Sequence, residues 1–149
     1  MMVLSHRSLL ALAAVADIAM HARPLPVAAK ALAARLDLPP RHLETLLQAL
    51  VRARILKGLR GPRGGYELAR DRRKITAAAI LRAVLNESGA QGDRSGGSKL
   101  VAKVVAPMVE AAGAAFLREL DAITIEEICN RAEAMKVYDE SAAGTDFAI

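Results

Sequence analysis

The chain has 149 residues, a formal net charge of +5 and an apolar share of 53%, with only 3% aromatic residues. This length fits one compact domain, or a small domain with an appended oligomerisation segment, and the many alanines favour a helical protein with a thin core that a partner subunit helps to complete. The single cysteine excludes an internal disulfide, and no stretch reaches the ~18 uncharged apolar residues of a membrane span, so we expect a soluble cytoplasmic protein.

The first two predicted elements are helices over residues 4–21 and 27–36, separated by a proline-rich break. The first resembles the apolar part of a signal peptide, but Asp17 interrupts it and the next segment continues the same domain, so we expect no export. Helical spacing predicts that its inward stripe consists of Leu9, Leu12, Ala13, Ala16 and Met20.

Residues 40–53 carry the most regular amphipathic pattern, and Pro40 suits its first helical position. One side is apolar, with Leu43, Leu46, Leu47, Leu50 and Val51. The opposite side holds hydrogen-bonding groups, namely Arg41, Glu44, Thr45, Gln48 and Arg52. In a DNA major groove Arg41 can donate to guanine, Glu44 can accept from cytosine and Gln48 can pair with adenine, while His42 suits a phosphate. A solvated surface helix remains the alternative.

A β-hairpin is predicted directly after this helix, with strands at residues 55–59 and 66–68 around the loop 60–65. A helix, a short turn, a second helix and a two-stranded wing follow the order of a winged helix-turn-helix, so the predicted fold class is mainly α.

The loop of this hairpin is suited to DNA. Arg60 and Arg63 flank a Gly-Pro pair, and such a tip can enter the narrow minor groove, where negative potential attracts arginine. Gly64 and Gly65 would allow close approach to phosphate, or left-handed dihedral angles in the turn. A nucleotide-binding glycine loop is excluded, because the spacing is wrong and a strand rather than a helix follows.

Thr76 is placed to cap a fourth helix with Ile80, Leu81, Val84 and Leu85 inward. Residues 86–98, which contain four glycines and three serines, predict a flexible linker.

The net charge changes sign at this linker: residues 1–86 hold 15 Lys/Arg and 5 Asp/Glu, and residues 87–149 hold 6 Lys/Arg and 11 Asp/Glu. This asymmetry is typical of a nucleic-acid reader with a separate pairing segment, although a solvated basic surface has the same composition. The expected phosphate contacts are Lys30, Arg52, Lys57 and Arg63.

Residues 99–122 predict a long apolar helix in which Pro107 makes a kink or begins a new helix. This surface must meet another chain or fold back, and its expected dimer contacts are Val101, Val104, Val105, Met108, Ala112, Ala115 and Phe116. A capping box at Thr124 predicts a last helix to about Lys136. The expected divisions are a DNA-binding domain (1–85), a linker (86–98), dimerisation helices (99–137) and a loose tail (138–149).

Several of these motifs together resemble one known family. The pair Leu43-Glu44 and the run Arg60-Gly61-Pro62-Arg63-Gly64-Gly65-Tyr66 resemble the recognition helix and the wing of the Rrf-two (BadM/IscR/NsrR-type) transcription regulators, and the resemblance extends to Ile123-Thr124-Ile125. It implies a dimer in which the long C-terminal helices cross and each wing reaches DNA. It also implies that Arg41, Glu44 and Arg60 read bases or grooves. Arg41 stands where relatives often carry a small polar residue, which implies a different base preference.

The chain differs from many of these relatives in the segment that they use to sense iron, nitric oxide or redox state. They bind an iron-sulfur cluster through three cysteines between the fourth helix and the long helix, and residues 86–103 here contain neither cysteine nor histidine. Because such clusters need thiolate or histidine donors, we predict that this chain binds no such cluster. We interpret the lone Cys129 as a packing residue rather than a redox sensor. The three histidines lack metal-ligand spacing, so no metal or other cofactor is expected.

The sequence thus predicts a homodimeric DNA-binding repressor on a pseudo-palindromic operator, and no catalytic group stands out. Two alternatives stay open. One is an adaptor whose winged domain binds a protein partner. The other is a small-molecule-gated enzyme or allosteric sensor that uses the groove between the wing and the long helix.

Overall fold

The computed structural model describes residues 4–87 and 98–138. Its elements are six α-helices, one π-helical turn and two strands: α1 (His6–His21), α2 (Ala29–Arg35), α3 (Pro40–Arg52), β1 (Leu56–Leu59), β2 (Gly65–Leu68), α4 (Ala77–Glu87), the π-helical turn (Val101–Val105), α5 (Ala106–Asp121) and α6 (Ile125–Ala134). The two strands form one antiparallel sheet. The predicted fold class, mainly α with a two-stranded wing, is confirmed.

Helix α3 buries its leucines as its pattern predicts, since Leu43, Leu46, Leu47 and Leu50 are at most 2% exposed. The predicted stripe of α1 was right only in part: Ala16 is buried and Leu12 and Met20 pack against the core, but Leu9 and Ala13 are exposed. Its most deeply buried apolar residues are Ala11, Ala14, Val15 and Ile18, whereas Leu9 is 40% exposed. Alanine fits either side of a helix, so spacing alone does not show which side packs against α4 and α6. Leu85, predicted to point inward, is likewise exposed, whereas Ile80, Leu81 and Val84 are buried.

The helices α2 and α3 end in the same way, with a residue in the left-handed conformation after the helix. Asp37 and Arg54 follow the ends of α2 and α3 in the left-handed conformation, with φ of 53° and 60°. The next amide then reaches back into the helix: Leu38 N–H donates to the Ala33 carbonyl over 2.9 Å, and Ile55 N–H donates to the Leu50 carbonyl over 3.0 Å. These Schellman motifs fix how α3 is joined to α2 and to β1.

Helix α6 packs into the core of the N-terminal half. Ile125 and Cys129 are fully buried, and Ile125 N–H donates to the Ile75 carbonyl over 2.9 Å. The predicted cap is present, because the Thr124 hydroxyl accepts from the Glu127 N–H over 3.2 Å. Within the predicted dimerisation region, α6 therefore completes the domain that carries the wing.

The π-helical turn and α5 contribute no buried residue. Pro107 lies in the first turn of α5, in keeping with the prediction that a helix begins there. Asp121 attaches the end of α5 to α4, since its carboxylate accepts from the Thr76 hydroxyl over 3.2 Å. Among the described residues, no helix is long and apolar enough to span a membrane.

Two predicted segments lie largely outside the described residues. They are the linker, except for its ends, and the tail after Tyr138. Tyr138 itself was predicted to belong to a loose tail, but its side chain is hydrogen-bonded to a buried carboxylate.

Candidate DNA-binding surface

The polar side of α3 is open to solvent along its whole length. All six residues predicted to contact DNA from this helix are exposed: Arg41, His42, Glu44, Thr45, Gln48 and Arg52. The Thr45 hydroxyl donates to the His42 backbone carbonyl over 3.4 Å, whereas Arg41 and Glu44 have no hydrogen bond or ion pair within the described part of the chain. Leucine burial on the other side holds the polar side of α3 outward, and the side chains of Arg41 and Glu44 are there available to a ligand.

The wing presents two unneutralised guanidinium groups. Strands β1 and β2 pair in register from Leu56 with Leu68 to Leu59 with Gly65. In the loop between them, Gly61 has a φ of 108° and its carbonyl accepts from the Gly64 N–H over 2.9 Å. Arg60 and Arg63 are exposed and pair with no acidic residue among those described.

The last two glycines of the loop are required by the wing itself. Val27 pairs with β2, because Tyr66 N–H donates to its carbonyl over 2.8 Å and its own N–H donates to the Tyr66 carbonyl over 2.9 Å. A Cβ on Gly65 would lie 2.4 Å from the Val27 oxygen, and one on Gly64 would lie 2.3 Å from the Leu59 oxygen. Gly64 and Gly65 thus approach the protein's own backbone closely, and their approach to a DNA phosphate stays a prediction.

We predict that Gly65→Ala destabilises the protein by about 2 kcal/mol or more, because the new Cβ collides with backbone and its φ of 159° is strained for an L-residue. Gly58→Ala in the same hairpin is the control, since its Cβ would make an ordinary 3.8 Å contact with the Tyr66 ring. Urea unfolding of both variants tests this prediction, and equal midpoints would contradict it.

The predicted phosphate contacts differ in their surroundings. The Lys57 ammonium pairs with the Glu67 carboxylate across the hairpin at 2.8 Å, so its charge is partly compensated. Lys30 is exposed on α2 and has no ion pair within residues 4–87 and 98–138. Lys30 and Arg63 are therefore better placed than Lys57 to supply net positive charge.

A buried ionic cluster near this surface was missed by sequence reasoning. The Asp17 carboxylate is fully buried and accepts from Arg35 Nε and Nη2 at distances of 2.8 to 3.1 Å. It also accepts from the Tyr138 hydroxyl over 2.8 Å. The sequence does contain a sign of this cluster, since Asp17 is an acidic residue within an apolar helical run. A charge that is buried in such a helix needs a partner of opposite charge or a hydrogen-bond donor.

The model of the Rrf2 family, described as "Iron-dependent Transcriptional regulator", matches residues 4–131. The chain belongs to the Rrf2 family. The regulator IscR of Vibrio parahaemolyticus is 26% identical over 148 residues, which cover 96% of this chain and 86% of that protein. An HTH-type transcriptional regulator of Synechocystis sp. is 40% identical over 87 residues, which span only 58% of each chain.

Solved structures agree with this assignment. T. potens IscR superposes with a TM-score of 0.70 at 28% identity and covers 90% of each chain. CymR of B. subtilis, titled the global cysteine regulator, has a TM-score of 0.64 at 24% identity over 88% of this chain and 98% of its own, and it shows the same fold. This Rrf2 protein is accordingly a DNA-binding transcription regulator of the winged helix-turn-helix type and not an enzyme.

The donor set of this Rrf2 protein does not fit an iron-sulfur cluster. Its one cysteine, Cys129, lies fully buried in α6 and donates to the Ala16 carbonyl over 3.7 Å. Burial raises the pKa of the Cys129 thiol, which disfavours the thiolate that iron requires. The described residues contain no group of three His, Cys, Asp or Glu side chains suited to a metal. We derive no function from a cluster in this chain.

The alternative of a sensor site between the wing and the long helix finds little support. A cavity of about 700 Å³ lies between the end of α1, β2 and α6, and α5 supplies none of its lining. Its wall is strongly mixed in charge, and Arg73 and Asp71 within it already pair at 2.8 Å.

Proposed function

We propose that this Rrf2 protein is a homodimeric, sequence-specific repressor that binds a pseudo-palindromic operator and carries no iron-sulfur cluster. The observation that carries the proposal is that the exposed side chains of Arg41 on α3 and of Arg60 at the wing tip have no ion pair within the described part of the chain. A dimer of this kind binds two half-sites about one DNA turn apart, which predicts an operator with two-fold symmetry.

Base reading is assigned to the outward side of α3. Arg41, Glu44 and Gln48 offer the donor and acceptor types that distinguish base edges in the major groove, and Arg60 at the wing tip suits the minor groove. His42 and Thr45 lie on the same exposed side and suit the flanking backbone. The glycines of the wing act indirectly, by shaping the hairpin that carries the arginines.

Homodimerisation is assigned to the apolar surface of the π-helical turn and α5. Val101, Val104 and Val105 are 44 to 46% exposed in the single chain, and Met108 is 69% exposed. A contiguous apolar surface of this kind marks an interaction site in a soluble protein. Ala112 and Ala115 are also exposed and Phe116 is half-buried, which allows a second copy of the helix to pack closely.

The salt dependence of binding tests this proposal. The predicted phosphate contacts number four in each protomer, namely Lys30, Arg52, Lys57 and Arg63. At about −0.9 for each contact, the dimer should give a slope of about −7 in a plot of log K against log salt concentration. Lys30→Gln should reduce the slope by about 2. Arg131→Gln, which removes a 75% exposed cation on α6, is the control and should leave the slope unchanged.

The measurement uses operator fragments selected from genomic DNA by the purified protein, and fluorescence anisotropy at several salt concentrations. Binding that ignores salt, or no binding to duplex DNA at low ionic strength, would contradict the proposal and favour an adaptor that binds a protein partner.

A further inference from the structure

The buried Asp17 carboxylate joins three distant parts of the chain. It lies in α1 and is held by Arg35, the last residue of α2, and by Tyr138, which follows α6. We call these three residues the C-terminal latch. The His21 ring closes one side of it, with its centroid 4.6 Å from that of Tyr138 at an angle of 87° and its Nδ1 3.5 Å from an Asp17 carboxylate oxygen.

The backbone after α6 explains how Tyr138 reaches this position. Lys136 takes the left-handed conformation with a φ of 53°, and the Val137 N–H returns to the Ala132 carbonyl over 3.2 Å. This Schellman motif ends α6 and reverses the chain. Burial raises the pKa of the Tyr138 phenol, and its hydrogen bond to Asp17 raises it further, so the hydroxyl keeps its proton and donates.

The opposite end of the latch lies at the turn of the helix-turn-helix. Arg35 is followed at once by the turn 36–39 that leads into α3. Backbone bonds of the Schellman motif also hold that turn, with Leu36 N–H donating to the Leu32 carbonyl over 3.0 Å and Leu38 N–H donating to the Ala33 carbonyl over 2.9 Å. A two-pronged arginine–carboxylate pair is geometrically specific, so the position of Asp17 constrains the end of α2.

We propose that Tyr138 is a positioning residue for DNA binding, which acts through Asp17 and Arg35 to hold the turn before α3 in its DNA-competent geometry. This inference rests on the proposed DNA-binding function. The Tyr138 hydroxyl and Arg35 Nε donate to the same oxygen of Asp17, so the tyrosine fixes the rotation of the carboxylate to which the arginine is bound. Without the hydroxyl the carboxylate can turn and the arginine can shift with it, and a less constrained turn lets α3 leave the competent orientation. When the competent fraction falls, the apparent affinity falls by the same factor.

Tyr138→Phe tests this idea because it removes only the hydroxyl and keeps the ring beside His21. We expect operator Kd to rise about tenfold, with the plot of log K against log salt displaced in parallel, since the competent state still makes the same phosphate contacts. Amide hydrogen exchange at Leu36 and Leu38 should be at least about tenfold faster, because a tenfold loss of affinity requires the turn to be open most of the time, whereas exchange at Leu47 in the core should not change. Val137→Ala, at the neighbouring 52% exposed side chain, is the control and should behave like the wild type.

Each outcome decides the proposal. An operator Kd within twofold of wild type, a changed salt slope, or an equal effect of Val137→Ala would overturn it, because the effect would then not run through the latch. A merely structural tyrosine would lower the melting temperature without altering affinity at temperatures where the variant is folded. If the wild type binds no duplex DNA, the proposed function fails, while exchange at Leu36 and Leu38 still decides whether Tyr138 holds the turn.

Discussion

Arg60→Ala is expected to abolish sequence-specific binding while leaving a folded dimer. The guanidinium lies at the wing tip, is exposed and has no ion pair within the described part of the chain, so its removal should change the free energy of unfolding by less than about 0.5 kcal/mol. A good arginine contact to DNA contributes about 1–3 kcal/mol of discrimination, and the dimer would lose two of them. We therefore expect operator Kd to rise about 100-fold or more.

The variant Arg60→Lys distinguishes the contribution of the positive charge from that of the guanidinium geometry at the same position. Lysine keeps the positive charge but not the planar fork, so this variant should retain binding to non-operator DNA and lose most of its preference for the operator. Titration of operator and scrambled duplexes with both variants supplies the measurement. Equal operator affinity of Arg60→Ala and wild type would refute the role assigned to the wing.

Met108→Glu is expected to convert the dimer to monomers and to remove operator binding with it. The side chain is 69% exposed in the single chain, so the substitution leaves each protomer folded. In a dimer, the same position would place a carboxylate of each chain in apolar surroundings. Burial of an unpaired charge costs several kcal/mol, which exceeds what this contact supplies. Because one half-site alone binds weakly, operator affinity should fall at least about 100-fold.

Met108→Leu provides the matched control, since it conserves volume and apolar character and should leave the dimer intact. Analytical ultracentrifugation of the wild type and both variants gives the oligomeric state directly. A Met108→Glu protein that sediments as a dimer and still binds the operator would show that the chains associate elsewhere.

Sequence reasoning was most accurate where the side-chain pattern was strong. Helix α3 has leucine on one side and polar residues on the other, so its bounds, buried residues and exposed residues followed from periodicity. The predicted inward face of α1 was right only in part, because alanine occurs on every side of that helix and small residues give no preference for either face. Two roles stayed open for Gly64 and Gly65, an approach to phosphate or left-handed dihedral angles in the turn. Their contact with the protein's own backbone was not predicted, because only the folded hairpin brings Val27 against Gly65.

The order of the elements, the amphipathic α3 and the arginine-bearing wing were all determined by local sequence, because caps, turns and helical spacing act over a few residues. The tertiary structure alone decided that α6 enters the core and that Tyr138 meets Asp17. Those two residues lie 121 positions apart, and no short-range pattern encodes such a contact. Only the packing of α6 against α1 brings the end of the described chain to a charge that cannot remain buried without hydrogen-bonding partners.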